Sequence, residues 1–318
     1  MSPVRVAKRL DECERLWREA FQENRLTDLW DVRLIFHRAF DRPLHFVAVE
    51  EEGKLKGFLP LSWLEEAHCY GYFPGETWHG RTWLEQNQIF CEDAETLERL
   101  LSACQPGYHI RYLRSLDFFP LSEQEVDEVG YLFLPKRYGF EMESYFAEFS
   151  SKTAKRLRRE LEAFERRGAT IRYGGLSDFD HLVRLNRERF GTYSYFHDAR
   201  FEDAFRSLMG FLEDRGWLRM TTVLVADEIA AVDMGCVYRG VYTLLAGGTH
   251  EGFPGVAKFI NMTHMKWACQ EKIKEVDFLC GDFSWKTLFH LTPRPLYLLS
   301  HSGISMGTEN WAQGSQKE

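Results

Sequence analysis

The segment SKTAKRLRRELEAFERR, residues 151–167, constrains the fold more than any other part of the chain. It reads as a strong helix, with Ser150 or Ser151 placed to cap its N-terminus and Gly168 placed to stop it. A helix there divides the chain into two halves that share one coarse order of elements. The length of 318 residues agrees, because a single hydrophobic core usually stops growing before that size. Two modules are therefore expected, at 1–149 and 150–302, with an aperiodic, frayed tail at 303–318.

In the first half, Leu10, Cys13, Leu16, Trp17 and Phe21 recur at helical spacing, and residues 28–40 can form a second helix. HFVAVE (45–50) and KLKGFLPLSW (54–63) are joined through Glu51-Glu52-Gly53 and predict a β-hairpin, to which CYGYF (69–73) can add a strand. A short helix at 93–104 then precedes strands at 109–114, 131–135 and 144–150. The second half predicts a strand at 169–174, helices at 177–190 and 199–214, and strands at 218–226, 229–238 and 241–248. After these come a helix at 256–271, a strand at 275–280, a short helix at 284–289 and a strand at 295–300. Helices followed by a meander argue for α+β, each module a mixed, mostly antiparallel sheet flanked by helices.

Composition narrows the class. A hydrophobic fraction of 44% with 25 phenylalanines is ample for packed cores, and a net charge of -8 argues against a general nucleic-acid binder. No stretch approaches the ~20 apolar residues of a membrane span, and residues 1–22 carry no signal-peptide core. The seven cysteines are scattered and form no Cys-x-x-Cys pair, as expected of reduced thiols in the cytoplasm. The histidines show no ligand cluster, so no metal is expected, and Walker and Gly-x-Ser-x-Gly motifs are absent.

The order β-α-α-β-β-β-α-β-α-β over 169–300, the strand pair LRMTTVLVADEIAAVDMGCVY (218–238), the loop THEGFPGVAKF (249–259) and the ending VDFLCGDFSWKTLF (276–289) resemble tandem GNAT acyltransferases. The resemblance is to the FemAB-like and cellulose-biosynthesis-associated acetyltransferase group. It spans nearly the whole chain, with its specific motifs between Ser150 and Phe289. It implies an acyl-CoA donor, acetyl-CoA first among them, and an amine or hydroxyl acceptor on a sugar- or amino-acid-like molecule or a cell-envelope precursor. Two other readings stand beside it: a Fem-like aminoacyl transferase using charged tRNA, and a non-catalytic, degenerate GNAT binding module.

A glycine-rich loop opening a helix offers free backbone N–H groups and the positive end of the helix dipole to a pyrophosphate. Gly252, Gly255, Val256 and Ala257 supply that pattern, and Lys258 adds charge in the first turn. GNAT proteins commonly place Gln or Arg where Gly252 stands; an ordinary strand-to-helix turn is the other account of the loop. The resemblance implies that the preceding strand, Val241–Gly248, holds the pantetheine arm. Leu245, Ala246 and Gly247 lie at the thioester, and a splayed gap toward 276–280 admits the donor. The glycines in that strand fit close approach by a ligand or a simple bulge.

Transfer needs a base for the acceptor proton. Asp233 is the odd residue in an apolar strand and suits that role if buried, although a structural partner such as Arg239 or His264 explains it equally. Asp282 follows Gly281 at a strand end, with Trp285 and Lys286 one turn on. The resemblance implies that Asp282 and Lys286 border the acceptor or acyl pocket with Trp285 as an aromatic wall, against the plainer account of an i,i+4 Asp-Lys pair. The first half has no matching glycine-rich loop, so donor binding is expected only in the second. The helix from Lys152 to Arg167 holds seven Lys or Arg against three Glu. It is either a solvated face or a docking surface for acyl carrier protein or tRNA.

Overall fold

The computed structural model describes residues 4–116, 124–281 and 284–301. Its chain divides into two compact units: one runs to Val129 and takes in the described residues from Pro295 on, and the other is Gly130–Arg294. The sequence division at 149/150 differs because the two returning strands carry the boundaries. Residues 130–133 pair within the second unit, and residues 297–300 pair with residues 109–113 of the first.

The first unit opens with a strand that the helical pattern at 8–21 concealed, β1 (Val4–Ala7), followed by helices α1 (Leu10–Ala20) and α2 (Trp30–Phe40). The predicted hairpin is β2 (Leu44–Glu51) and β3 (Lys54–Leu64), turned by Glu52 and Gly53 at φ 51° and 74°, the left-handed pair that a two-residue hairpin turn demands. The strand β4 (Cys69–Tyr72) completes the antiparallel order β1-β2-β3-β4. Two-residue strands β5 (Thr77–Trp78), β6 (Arg81–Thr82) and β7 (Phe90–Cys91), helix α3 (Ala94–Ser102), strand β8 (His109–Leu113) and the first part of β9 (Glu125–Phe133) follow. Trp17, Trp30, Phe46, Phe58 and Phe73 form the aromatic centre of this unit's core, with Trp30 stacked on Phe73 at 5.3 Å.

In the second unit, residues 144–150, expected as a strand, instead carry the end of helix α4 (Met142–Phe146) and the turn after it. Tyr145, Phe146 and Phe149 are all buried, a helical spacing that puts three rings on one side, and Tyr145 meets Phe149 edge-on at 5.2 Å. Ser150 then caps helix α5 (Ser151–Arg166) by accepting from the Thr153 amide at 3.2 Å. The remaining elements are β10 (Ala169–Tyr173), α6 (Asp178–Phe190), α7 (Ala199–Asp214), β11 (Leu218–Val225), β12 (Glu228–Tyr238), β13 (Val241–Thr249), α8 (Val256–Gln270), β14 (Glu275–Asp277), α9 (Ser284–Leu288) and β15 (Thr292–Ser300). Strands of this unit run in the order β10-β11-β12-β13-β14-β9, antiparallel except for the parallel pair β13/β14. The chain is thus α+β, with a mostly antiparallel sheet and flanking helices in each unit.

Among the described residues no helix is long and apolar enough to cross a membrane.

Candidate functional site

The decisive geometry lies where β13 and β14 part. Their parallel pairing covers only Val241, Tyr242 and Thr243 against Glu275, Val276 and Asp277, while β13 runs on to Thr249. Beyond Thr243 no strand among the described residues pairs with the outer edge of β13, so backbone groups from Leu244 on face a gap. β14 itself is three residues long, against six expected, because Asp277 ends it. That carboxylate, fully buried, accepts from Arg294 at 2.7 Å and from the Leu279 amide at 2.9 Å, and Leu279 sits in the left-handed region at φ 56°. The chain then stays beside β9: Phe278 N donates to Tyr131 O at 2.9 Å and Tyr131 N to Leu279 O at 3.2 Å. Gly130 leaves room for the Arg294 guanidinium, which would stand 2.7 Å from a Cβ there.

Lys286 holds the same turn. It is buried, and its ammonium donates to the carbonyls of Phe278, Leu279 and Cys280 at 3.0, 2.9 and 2.9 Å. Three N–H bonds on three carbonyls call for the charged form, so this geometry makes Lys286 a positioning residue for the gap's far wall. Trp285 is half-buried and meets Phe278 and Phe289 edge-on at 5.5 and 5.4 Å. Asp282 lies outside the described residues.

On the other wall, β13 carries a bulge. Its register against β12 shifts between Met234 and Gly235, which face Ala246 and Leu244, leaving Leu245 as the extra residue. The two glycines after it are closely packed. A Cβ on Gly247 would meet Asp233 Oδ1 at 2.4 Å, and one on Gly248 would meet the Leu182 carbonyl of α6 at 2.7 Å and Leu185 Cβ at 2.8 Å. Successive residues point to opposite faces of a strand, so one glycine makes room for a carboxylate and the next for a helix. Gly248→Ala is expected to cost about 1–3 kcal/mol through overpacking against α6 backbone. A urea midpoint with an unchanged slope would show it, and an unchanged midpoint would disprove the close packing.

Asp233 is buried beside two further polar groups. His264 of α8, with no exposed surface, places Nε2 at 2.9 Å from Asp233 Oδ2, and the Tyr242 hydroxyl stands 3.4 Å from the same nitrogen. A carboxylate can only accept, so the imidazole Nε2–H donates to it; His264 Nδ1 is buried without a hydrogen-bond partner. Burial foremost, and then the Asp233 charge, raises the Tyr242 phenol well above its ordinary pKa, which keeps it protonated. Of the two partners weighed for Asp233, the fold supplies His264, and the cluster ties β12 and β13 to α8.

The loop after β13 leads into α8 through Gly255, whose φ of 85° needs a residue without Cβ strain. The Val256 amide bonds Phe253 O at 3.1 Å and Phe259 makes the first bond back to Gly255 O at 3.1 Å. The amides of Ala257 and Lys258 therefore open the helix without intrahelical acceptors. Gly252 N donates to His250 Nδ1 at 3.0 Å, and the Lys258 ammonium is paired with Glu160 of α5. Of the first-unit aromatics, Tyr72 and Trp83 are core: the Tyr72 hydroxyl donates to Gln88 O at 2.7 Å and Trp83 stacks on Phe36 at 5.3 Å.

An open strand edge running past a bulge into a glycine-opened helix is an arrangement that can cradle an extended thioester arm and a phosphate. Residues 151–287 match the family model of the acetyltransferase (GNAT) domain. The GNAT match starts at α5 and ends in α9, so it contains both walls of the gap and leaves the first unit outside. No curated protein matches the chain. Three solved structures share the fold at low identity. A conserved protein of unknown function from Bacteroides thetaiotaomicron VPI-5482 is 12% identical with a TM-score of 0.57, covering 94% of this chain and 99% of that one. FemX is 10% identical with a TM-score of 0.56, covering 93% and 96%. L-PGS from Bacillus licheniformis is 12% identical with a TM-score of 0.55, covering 94% and 93%.

His264, Asp277 and Arg294 escaped the sequence reading as site residues. Asp277 carried the same signal as Asp233, a lone carboxylate in an apolar strand, and that signal marks the end of β14.

Proposed function

We propose that the GNAT domain moves an acyl group, acetyl in the simplest case, from acyl-CoA to an amine or hydroxyl of a sugar- or amino-acid-like acceptor, free or part of a cell-envelope precursor. The observation that carries this reading is the unpaired edge of β13 from Leu244 to Thr249, which offers alternating amides and carbonyls to the pantetheine arm in the manner of an added strand. The pyrophosphate would sit on the loop Gly252–Gly255 and the amides of Ala257 and Lys258. In the transfer itself the acceptor attacks the thioester carbonyl, the new C–N or C–O bond forms as the C–S bond breaks, and CoA leaves as the thiolate. The acceptor proton goes to a carboxylate, for which Asp282 is proposed and Asp233 is the rival. A backbone N–H at the bulge around Leu245 would polarise the carbonyl.

The test is calorimetry and thermal shift of the whole chain with CoA and acetyl-CoA. One site per chain is expected, and CoA at 100 times its dissociation constant should stabilise by ~2.7 kcal/mol. Absence of any shift, or two equivalent sites, would remove the assignment. Binding without thiol release from acetyl-CoA across amine and hydroxyl acceptors would leave a binding module.

A second reading rests on α5, where Lys152, Lys155, Arg156 and Arg159 are all exposed at spacings that share one face, with no acid in the first turn. An anionic carrier, acyl carrier protein or aminoacyl-tRNA, would deliver the acyl group along that face. Turnover with a charged carrier and none with free acetyl-CoA would favour it.

A further inference from the structure

In the loop and first helical turn, residues 250–258, Lys258 is the single Lys or Arg, and its ammonium is committed to Glu160. A nucleotide carrying several phosphate charges is poorly matched by one lysine already paired with a carboxylate. The position where GNAT proteins commonly carry Gln or Arg is Gly252, which has no side chain to offer. A cation on another element stands near the loop. Arg167 terminates α5, and its guanidinium carbon lies 5.4 Å from the centre of the Phe164 ring and 5.6 Å from that of Phe253, the residue after Gly252. Phe164 itself is fixed to the loop: its Cε2 is 3.6 Å from the place of a Cβ on Gly255, and its ring stacks on Phe259 of α8 at 5.0 Å.

We propose that Arg167 supplies, from α5, the charge that binds the nucleotide phosphates of acyl-CoA at the glycine loop. The proposal rests on the donor reading above and adds to it a residue from outside the loop. Aromatic rings attract a guanidinium without taking up its N–H donors, and its planar fork matches two phosphate oxygens at once. Arg167 is exposed, and no carboxylate pairs with it among the described residues. A purely structural account also exists, since a cation at a helix C-terminus is favoured by the dipole. That account predicts a small effect on stability and none on nucleotide affinity, so the two separate cleanly.

The experiment compares Arg167→Gln with Arg15→Gln, an equal change of charge at an exposed residue of α1 in the first unit. Calorimetry would use CoA and adenosine 3′,5′-bisphosphate as probes, with a thermal melt of each unliganded variant. Arg167→Gln should raise the dissociation constant of both probes about tenfold, equivalent to ~1.4 kcal/mol, with the melt nearly unchanged. The effect should shrink as salt rises, and Arg15→Gln should leave both affinities as they were. Affinity within twofold of the parent in Arg167→Gln, an equal loss in Arg15→Gln, or a loss for CoA without one for the bisphosphate would each overturn the assignment. A parent protein that binds neither probe would instead overturn the donor reading, so the two failures are told apart.

Discussion

Lys286→Met should lower the unfolding free energy by about 3–5 kcal/mol and abolish tight CoA binding at the temperature where the parent binds. The ammonium makes three hydrogen bonds to consecutive carbonyls, and bonds to a charged donor contribute about 1.5–3 kcal/mol each; losing the buried charge offsets part of that sum. Methionine fills the volume of the stem and takes the lysine donor away from three carbonyl oxygens, of which Leu279 O keeps the Tyr131 amide. The segment 278–280 would then be free to close toward β13 or to swing out, and either movement spoils the gap. Lys286→Arg should rescue little, because a planar fork cannot send three donors from one nitrogen to three surrounding carbonyls as a tetrahedral ammonium does. Urea unfolding and CoA calorimetry on both variants check this. A Lys286→Met midpoint within 1 kcal/mol of the parent would show that the three carbonyls find other donors and that Lys286 does not hold the turn.

That role was not legible in the sequence, and the reason is physical. The spacing of Asp282 and Lys286 matches an i,i+4 ion pair as well as a pocket rim, and neither pattern records that a strand end three residues long places three carbonyls around one ammonium. Elements governed by local chemistry were readable: the hairpin turned by Glu52 and Gly53, the helix capped at Ser150, and the three strands β11 to β13 all fall within a residue or two of their expected bounds. Residues 144–150 misled because aromatics there satisfy two periods at once. Tyr145 and Phe149 fit alternation, while Tyr145, Phe146 and Phe149 fit a helix, and tertiary burial of all three rings decided for the helix.

Long-range placement was the other limit. Gly247 and Gly248 fit close approach by a ligand or a simple bulge, and only the fold shows that one accommodates the Asp233 carboxylate and the other the backbone of α6. Arg167 was one of seven basic residues on a helix, and nothing in the spacing of 151–167 distinguishes it from Arg159. Its contact with Phe253 arises from the packing of α5 against α8, across 86 residues of chain. The glycine loop was found by its motif, yet what it lacks in charge became interpretable only beside that neighbour.

Asp282→Asn and Asp233→Asn should part company by orders of magnitude in turnover. A positioned base contributes ~10²–10⁴-fold, so replacing Asp282 should lower turnover with an identified acceptor by that factor while stability and CoA affinity barely move. Asp233 is held differently. Its carboxylate accepts from a histidine with no exposed surface, beneath a glycine of β13, and the pair ties β12, the neighbour of the strand that would hold the thioester, to the helix that would hold the pyrophosphate. Asn keeps an acceptor oxygen for the His264 Nε2–H, so Asp233→Asn should cost about 1–3 kcal/mol of stability and only a few-fold in turnover below its melting temperature. Asp233→Ala leaves the imidazole in the core with only the Tyr242 hydroxyl, 3.4 Å from Nε2, as a partner and should cost more, about 3–5 kcal/mol by analogy with broken buried pairs. Rate constants measured on folded variants, alongside urea midpoints, separate the accounts. If Asp233→Asn alone loses activity while folded, the base is Asp233, reached through a gap wider than the one seen between β13 and β14. If both variants stay within a few-fold of the parent, no carboxylate takes the proton, and transfer proceeds by positioning along β13 with backbone polarisation at Leu245.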